Sequence, residues 1–176
     1  MTDSVRGVVL ERFRWVGGHA DLWPVFRDGP TLKAVVRGLV EPFRGMGVTA
    51  VCGIESRGFL LGGAAAVELG VGFVPVRKAG GMFPGEKLVG ETAPDYRGIR
   101  QTLRIQRASI AAGDRVLLVD DWIETGSQAS AVQALIERAG AELVGCAVVV
   151  DELPDGSRAG LAKVHSLVSG EELPDD

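Results

Sequence analysis

The chain has 176 residues, of which 46% are hydrophobic, a size and composition that fit one domain with its own core and exclude a disordered chain. Its formal net charge is 19 − 23 = −4, which disfavours nucleic acid or an anionic membrane as the main partner. No stretch reaches the roughly 18 apolar residues of a membrane span and no signal-peptide core opens the chain, so we expect a cytoplasmic protein in which residues 1–176 form a single domain.

The first half of the chain predicts alternating helices and strands. After Asp28-Gly-Pro-Thr31, apolar residues recur at helical spacing as far as Phe43, with Pro30 in the first turn and Pro42 at the end or at a kink. The next three segments predict a short buried strand, a helix that is apolar almost all round, and a second strand: Val48–Ile54, Arg57–Leu69 and Val71–Val76.

Residues 79–101 show no sustained period and contain five glycines and two prolines. A loop of this length in a compact domain is a functional lid or a disordered segment. The region from Arg77 to Arg107 also carries seven basic residues against three acidic ones. This excess of positive charge favours a small anionic ligand or a solvated loop with its own counter-charges.

The second half predicts strands around one amphipathic helix, Ser127–Ala139, which Gly140 closes. Its strand-like apolar runs are Thr102–Ile105, Arg115–Val119, Leu143–Val150 and Val164–Val168. Strands that are apolar on both faces and alternate with helices predict an α/β fold, a mostly parallel sheet flanked by helices. Ligands of such sheets bind beyond the carboxyl ends of the strands, which directs attention to loops 55–57, 77–101 and 120–127.

Residue types that bind metals or form disulfides are few and scattered. Cys52 and Cys146 stand alone in separate apolar runs, and His19 and His165 have no neighbours at ligand spacing. These patterns favour buried free thiols in a reducing compartment over a disulfide, and they indicate no histidine or cysteine metal site.

The most informative segment runs from Arg115 to Ser130, where an apolar strand is expected to end at Asp120-Asp121 and a Thr-Gly turn leads into a helix. The first turn of a helix offers unpaired amides and the positive end of the helix dipole, which favours bound phosphate. The hydroxyls of Thr125 and Ser127 add donors, and adjacent carboxylates suit ribose hydroxyls or a magnesium ion shared with the ligand. An Asp that merely caps a turn after a strand would give the same local pattern.

This segment resembles the signature with which type I phosphoribosyltransferases bind 5-phosphoribosyl pyrophosphate (PRPP): an apolar strand, two acids, two mostly apolar residues and Thr-Gly. Other segments, in family order, are similar to adenine phosphoribosyltransferases: Val25-Phe-Arg-Asp28, Gly53-Ile-Glu-Ser-Arg-Gly-Phe59, Val74-Pro-Val-Arg-Lys78 and Asp95-Tyr96. The resemblance runs from about Ala20 to about Leu173. It implies the type I phosphoribosyltransferase fold, with a flexible catalytic loop and a small hood.

The resemblance also implies a function: transfer of the phosphoribosyl group of PRPP to adenine in purine salvage, by a homodimer that binds Mg²⁺ together with PRPP. The residues implied in PRPP binding are Asp120, Asp121, Glu124, Thr125, Gly126, Ser127 and Gln128. Those implied in pyrophosphate binding are Glu55, Ser56, Arg57, Arg77 and Lys78, and those in base binding are Val25, Phe26 and Arg27. The implied catalytic residues are Arg57, Asp95 and Glu124.

Four positions depart from the family pattern. Glu124 stands where the phosphate loop usually has Ala, and Gln128 replaces a phosphate-binding Thr, although its amide still donates a hydrogen bond. We therefore expect weaker rather than absent phosphate binding. Asp95 replaces the catalytic Glu and is one methylene shorter, so the lid has to close further to reach proton-transfer distance. Gly80-Gly81-Met82 stands where a Lys usually follows the Arg-Lys pair.

The carboxylate of Glu124 bears on the choice of base. Two unit charges about 5 Å apart repel by roughly 3 kcal/mol at an effective dielectric of 20, so either Glu124 points away from the phosphate or the phosphate does not bind there. Hypoxanthine-guanine relatives carry an Asp before Thr-Gly and direct it at the purine, and we expect Glu124 to act in that way at purine N7. Two alternatives stay open: a 6-oxopurine phosphoribosyltransferase, and a non-catalytic regulator that binds PRPP or a nucleotide.

Overall fold

The computed structural model describes residues 2–80, 83–94 and 99–175. Its α-helices are α1 Thr2–Arg12, α2 Trp23–Arg27, α3 Gly29–Val40, α4 Arg57–Leu69 and α5 Ser127–Arg138. Its strands are β1 Arg14–Val16, β2 His19–Asp21, β3 Ala50–Ile54, β4 Gly72–Lys78, β5 Lys87–Glu91, β6 Thr102–Gln106, β7 Arg115–Ile123, β8 Glu142–Asp151 and β9 Val164–Ser169. None of the helices described is long and apolar enough to cross a membrane.

Seven of these strands form one sheet in the order β5-β6-β4-β3-β7-β8-β9. The strands from β4 to β9 in that order pair in parallel. At one edge, β6 pairs antiparallel with β4, and β5 pairs antiparallel with β6 as a hairpin. Helices cover both faces, which confirms the predicted fold class: a mostly parallel sheet flanked by helices.

The central strands bury side chains on both faces of the sheet. In β7, Leu117 and Val119 belong to a core packed by α1, α3 and α4, whereas Val116 and Leu118 belong to a second core packed by α5. Side chains alternate between the two faces of a strand. A strand buried on both faces therefore has a continuous apolar run, which is the pattern that the sequence shows at Arg115–Val119.

Helix α3 begins where the sequence predicts and ends earlier. Oδ2 of Asp28 accepts hydrogen bonds from the amide and the hydroxyl of Thr31, at 3.0 Å and 2.6 Å, which caps the first turn. The helix stops at Val40 rather than Phe43, and Glu41–Phe43 form a 3₁₀ turn. Pro42 has no amide to donate to the carbonyl of Gly38, which lies 3.1 Å from Nε2 of His165 instead.

Two sequence predictions are wrong, in the loop and at the acidic pair, and the N-terminal elements were not predicted at all: α1, α2 and the hairpin of β1 and β2. Residues 79–101 contain β5, whose five residues are exposed or half-buried and too short to show a period. Strand β7 continues to Ile123, so Asp120 and Asp121 lie within it rather than at its end.

Strand β5 is held in place by α5. The carbonyl of Val89 accepts a hydrogen bond from Nη1 of Arg138 at 2.7 Å. A Cβ on Gly90 would lie 3.1 Å from Cγ of Leu135, so this glycine lets the strand approach the helix closely. The base of the hairpin is closed by the buried Thr92, whose amide donates to the carbonyl of Gln101 at 2.9 Å.

Cys52 and Cys146 are buried free thiols, as predicted. They lie on the same face of the sheet on either side of Leu118, since Cys52 pairs with Leu118 and Leu118 pairs with Cys146. Burial raises the pKa of both thiols, that of Cys146 to about 12. Both therefore stay protonated and unreactive in the folded chain.

Candidate active site

A cleft with a volume of about 360 Å³ opens at the carboxyl edge of the parallel sheet. Three segments form most of its walls: residues 54–57 at the end of β3, Lys78 at the end of β4, and residues 120–129, which run from β7 into α5. Leu118, Cys146 and Val148 of the sheet also line it. The cleft brings together all seven residues predicted to bind PRPP and four of the five predicted to bind pyrophosphate: Glu55, Ser56, Arg57 and Lys78.

Two glycines bring the start of α4 close to the ends of β3 and β7. A Cβ on Gly53 would lie 2.0 Å from the carbonyl oxygen of Gly58. A Cβ on Gly58 would lie 2.8 Å from Oδ1 of Asp120. Because neither residue has a side chain, the first turn of α4 reaches the Asp120 carboxylate and narrows the floor of the cleft.

Asp120 and Asp121 form an acidic pair in the cleft. Asp121 is 7% exposed and Asp120 is half-buried, and the amide of Asp121 donates to Oδ1 of Asp120 at 2.9 Å. Burial, followed by the negative charge of Asp121, raises the pKa of Asp120 well above its ordinary value. Burial and the neighbouring carboxylate therefore both disfavour the charged form of Asp120.

Arg57, the first residue of α4, is the cation beside this pair. Its Nε lies 2.9 Å from Oδ2 of Asp121, which is an ion-pair distance. The N–H does not point along a hydrogen bond, however, and this buried oxygen accepts none within residues 2–80, 83–94 and 99–175. An unsatisfied buried oxygen raises the free energy of the folded chain, so Oδ2 is suited to a donor or cation that a ligand supplies.

Glu55 joins the ends of β3 and β4. Its Oε2 accepts from Nε of Arg77 at 3.0 Å, and its Oε1 accepts from the amide of Lys78 at 2.7 Å. The guanidinium of Arg77 also lies 5.7 Å from the ring centre of Phe83. Arg77 is thus occupied by Glu55 and is not among the residues that line the cleft, whereas Lys78 is.

The Thr125-Gly126 turn leads into α5, whose N-cap residue, Gly126, has no side chain to cap the first turn. Gly126 has φ +76°, a left-handed conformation that favours glycine. Oγ1 of Thr125 accepts from the amide of Ser127 at 3.3 Å and hydrogen-bonds its hydroxyl at 3.0 Å. Amides at the positive end of a helix dipole favour a bound anion, and phosphate binding at this turn stays a prediction.

Glu124 lines the cleft and is exposed. Its carboxylate forms no ion pair or hydrogen bond with any residue that the structure describes. Lys87 does not replace the missing family lysine here, since its Nζ donates to the carbonyl of Gly85 at 3.1 Å and it does not line the cleft. The cations that line the same cleft, Arg57 and Lys78, are therefore not paired with Glu124 in the described residues.

The segment predicted to bind the base lies in α2, beside a second cleft. Val25 is fully buried in the core, and Phe26 is 6% exposed. Phe26 and Arg27 line the second cleft together with Trp23 and with Leu60 of α4. Leu60 is one turn along α4 from Arg57, which lines the first cleft, so the first turn of α4 separates the two. Base binding by these residues stays a prediction.

Some features of the site could not be placed or were not foreseen. Asp95, the predicted catalytic residue of the loop, lies outside the described residues. Trp122 was not predicted; it lines the cleft, and its indole N–H donates to Oε2 of Glu152 at 2.8 Å. The position of Glu152 just after the apolar run Leu143–Val150, at the same sheet edge, is the signal that could have indicated this contact.

Known proteins resemble the chain over most of its length. Residues 26–168 match the family model of the phosphoribosyl transferase domain. The adenine phosphoribosyltransferase of Dinoroseobacter shibae is 45% identical over 157 residues, covering 82% of this chain and 86% of that protein. The crystal structure of adenine phosphoribosyltransferase from Rhodothermus marinus has a TM-score of 0.83 at 36% identity and covers 95% of this chain and 99% of its own.

A further structure comes from Saccharomyces cerevisiae, an adenine phosphoribosyltransferase complexed with D-2,5-dideoxy-2,5-imino-altritol 1,6-bisphosphate and adenine. Its TM-score is 0.83 at 33% identity, and it covers 94% of this chain and 99% of its own. The family model, the sequence identities and the solved structures therefore indicate the same family as the residues gathered in the cleft do.

Proposed function

The chain belongs to the adenine phosphoribosyltransferase family, and on that premise we propose that it transfers the 5-phosphoribosyl group of PRPP to adenine, giving AMP and pyrophosphate. One observation carries the assignment: the acidic pair, the Thr125-Gly126 turn and the loop at Glu55–Arg57 meet in a single cleft. Arg57 and Lys78 would bind pyrophosphate in an enzyme and in a regulator alike. The enzyme is favoured over the regulator because the similar proteins are adenine phosphoribosyltransferases.

The 5-phosphate of PRPP binds at the first turn of α5. The first-turn amides after Gly126 and the hydroxyls of Thr125 and Ser127 are its donors, and Gln128 adds a side-chain amide. Each hydrogen bond to a charged group contributes about 1.5–3 kcal/mol. Glu124 turns its carboxylate away from this phosphate, which is possible because it is exposed and unpaired within the described residues.

The ribose hydroxyls bind the acidic pair. The half-buried Asp120 and Oδ2 of Asp121 are acceptors for the 2′- and 3′-hydroxyls. The described residues include no group of three or more His, Cys, Asp or Glu side chains arranged to hold a metal ion. Carboxylate oxygens suit Mg²⁺, so Asp120 and Asp121 fit an ion that arrives with PRPP. When bound, Mg²⁺ would neutralise part of the pyrophosphate charge.

The main chemical task is to stabilise the departing pyrophosphate. The bond between C1 and pyrophosphate breaks, positive charge builds on the ribose as an oxocarbenium ion, and a ring nitrogen of adenine attaches at C1. Arg57 and Lys78 line the cleft as cations for the leaving group. Arg77, which directly precedes Lys78, is hydrogen-bonded to Glu55 instead. Closure of the loop that carries Asp95 would exclude water from the cation.

Adenine binds between the two clefts, beside α2. Main-chain groups of Val25 and Arg27 contact the base, and Phe26 stacks on the ring. Support comes from Phe26 and Arg27, which line the second cleft together with Leu60, a residue one helical turn from Arg57 in the first cleft. Asp95, from the loop, then moves a proton at the base, as the position of Asp95-Tyr96 in the sequence implies.

The direct test is pyrophosphate release from PRPP and Mg²⁺ with each purine base in turn. We expect release with adenine and at least about 100-fold lower kcat/KM with hypoxanthine or guanine, because buried polar contacts that recognise one base are left unpaired by another. Preference for a 6-oxopurine would overturn the choice of adenine. PRPP binding without release for any base would establish the regulator instead.

Glu124→Gln tests the role of the unusual carboxylate. If Glu124 exchanges a proton with purine N7, kcat falls by about 100-fold and loses its pH dependence, since general acid–base groups contribute 10²–10⁴-fold. The KM for PRPP stays the same or decreases, because a charge near the phosphate is removed. Glu137→Gln, on an exposed part of α5, is the matched control. Full turnover with an unchanged pH profile would dismiss the role.

The remaining expectations concern the protein as a whole. We propose that the chain acts in the cytoplasm as one domain and as a homodimer. Two buried free thiols support a reducing compartment. Exposed apolar side chains on α2 and α4, namely Trp23, Leu60 and Val67, support contact with a second copy.

A further inference from the structure

Asp151, the last residue of β8, is a buried carboxylate outside the cleft. It is 8% exposed, and both of its oxygens have partners. Oδ1 accepts from the amide of Leu153 at 2.9 Å, and Oδ2 accepts from Nη2 of Arg158 at 2.8 Å. A buried charge is retained only when it is paired and hydrogen-bonded, so Asp151 and Arg158 form one unit.

This ion pair fixes the position of two leucines. Leu153 is held by Oδ1 of Asp151, and the amide of Leu161 donates to the carbonyl of Arg158 at 3.2 Å. Both leucines pack against Gly126, since a Cβ built there would lie 3.0 Å from a methyl group of each. The ion pair therefore holds the apolar surface on which the phosphate turn rests.

The loop that carries these residues is bonded to both elements that flank the turn. The amide of Glu152 donates to the carbonyl of Ile123, the last residue of β7, at 2.8 Å. On the other side, the side-chain amide of Gln133 in α5 donates to the carbonyl of Gly160 at 3.3 Å and accepts from the amide of Ala162 at 3.1 Å. The loop thus sets the distance between β7 and α5.

We propose that Asp151 and Arg158 are positioning residues that hold the Thr125-Gly126 turn in the shape that binds the 5-phosphate of PRPP; this rests on the proposed function. Neither residue lines the cleft, so neither touches the substrate. The turn has a left-handed glycine and no side-chain cap, and its shape depends on what packs beneath it. Displacement of a binding group by about 1 Å is enough to weaken a reaction by up to 100-fold.

The test compares Asp151→Asn, Arg158→Met and the double variant with the wild-type chain. We expect the KM for PRPP to rise by about tenfold in each single variant, with kcat within about twofold. The double variant is expected to be no worse than either single one, because both remove the same pair. Arg158→Lys keeps the charge and is expected to restore KM to within about threefold. Calorimetric Kd values for ribose 5-phosphate should follow the same order.

Glu142→Gln is the matched control. Glu142 is the first residue of β8, at the end opposite to Asp151, and it forms an ion pair with Arg115 of β7. It should leave KM unchanged. The proposal is overturned if KM stays within twofold in Asp151→Asn and Arg158→Met, or if only the melting temperature and the active fraction fall. Failure of the proposed function would give a different result, because the wild-type chain would then release no pyrophosphate. The Kd for ribose 5-phosphate, compared between the wild-type chain and the variants, would still show whether Asp151 and Arg158 support the turn.

Discussion

An Asp120→Asn variant is expected to bind PRPP about 100-fold more weakly than the wild-type chain and yet to melt at a higher temperature at neutral pH. The loss of binding follows from the ribose contacts. A hydrogen bond to a charged group contributes about 1.5–3 kcal/mol, and two hydroxyl contacts weakened together account for about two factors of ten in Kd. The side-chain oxygen of Asn can still accept from the amide of Asp121, so the local backbone is preserved.

The gain in stability follows from the pKa of Asp120, which burial and the charge of Asp121 raise above its unfolded value. The folded chain then binds a proton more tightly than the unfolded chain does. The free energy of unfolding of the wild-type chain therefore falls as pH rises from about 4, the pKa of Asp120 in the unfolded chain, towards its higher pKa in the folded chain. Asn has no charge to bury, so its advantage in melting temperature is absent at low pH and grows as pH rises.

Two measurements check this pair of effects: calorimetric titration with PRPP and Mg²⁺, and thermal unfolding at a series of pH values. Asp175→Asn, which changes an exposed carboxylate near the C-terminus, is the control and should alter neither. A variant that binds PRPP normally would remove Asp120 from the site. A variant that is destabilised equally at every pH would show that the carboxylate stabilises the fold.

A Gly53→Ala variant is expected to lose at least about 3 kcal/mol of unfolding free energy, the largest stability effect that the site offers. The added Cβ would lie 2.0 Å from the carbonyl oxygen of Gly58, 2.6 Å from its carbonyl carbon and 3.1 Å from the carbonyl oxygen of Val119. All three atoms belong to the backbone and cannot move aside by rotation of a side chain. Relief requires α4 to separate from β3, which also opens the floor of the cleft.

Gly63→Ala is the control for this prediction, because Gly63 lies in the interior of α4 and a Cβ there meets no atom within 4 Å. Alanine is favoured over glycine in a helix by about 1 kcal/mol, so this variant should be slightly more stable than the wild-type chain. Chemical denaturation with a two-state fit gives both values. A Gly53→Ala chain within 1 kcal/mol of wild type would show that the close approach of α4 is not needed for folding.

The buried part of the fold could be predicted because its sequence patterns have a single interpretation. Arg57–Leu69 was predicted as a helix with the bounds that α4 has, and the strands at Val48–Ile54 and Leu143–Val150 differ from β3 and β8 by one or two residues at their ends. Short apolar runs that are bounded by turn residues fit strands covered on both faces, whereas the longer run at Arg57–Leu69 fits a helix. The residues of the cleft were found for the same reason, since they follow these runs directly.

The edges of the fold could not be predicted, because their residues carry no period. Strand β5 is short and exposed, and it is stabilised by contacts with α5 that no local pattern reveals. The pairing of Glu55 with Arg77 was missed because the sequence predicts that both residues lie at the site and does not show that they form an ion pair with each other. The support beneath Gly126 likewise depends on Leu153 and Leu161, which lie far along the chain.

The placement of the two thiols has a practical consequence for the kinetics of unfolding. Cys52 and Cys146 are separated by two strand spacings, about 10 Å, whereas a disulfide needs Cα atoms within about 7 Å. Oxidation therefore cannot join them while the sheet is intact. Cys146 lines the cleft, whereas Cys52 does not and is fully buried, so alkylating reagents reach Cys52 only after the central strands separate. The rate at which Cys52 is labelled thus reports how often the sheet opens, and it requires no engineered probe.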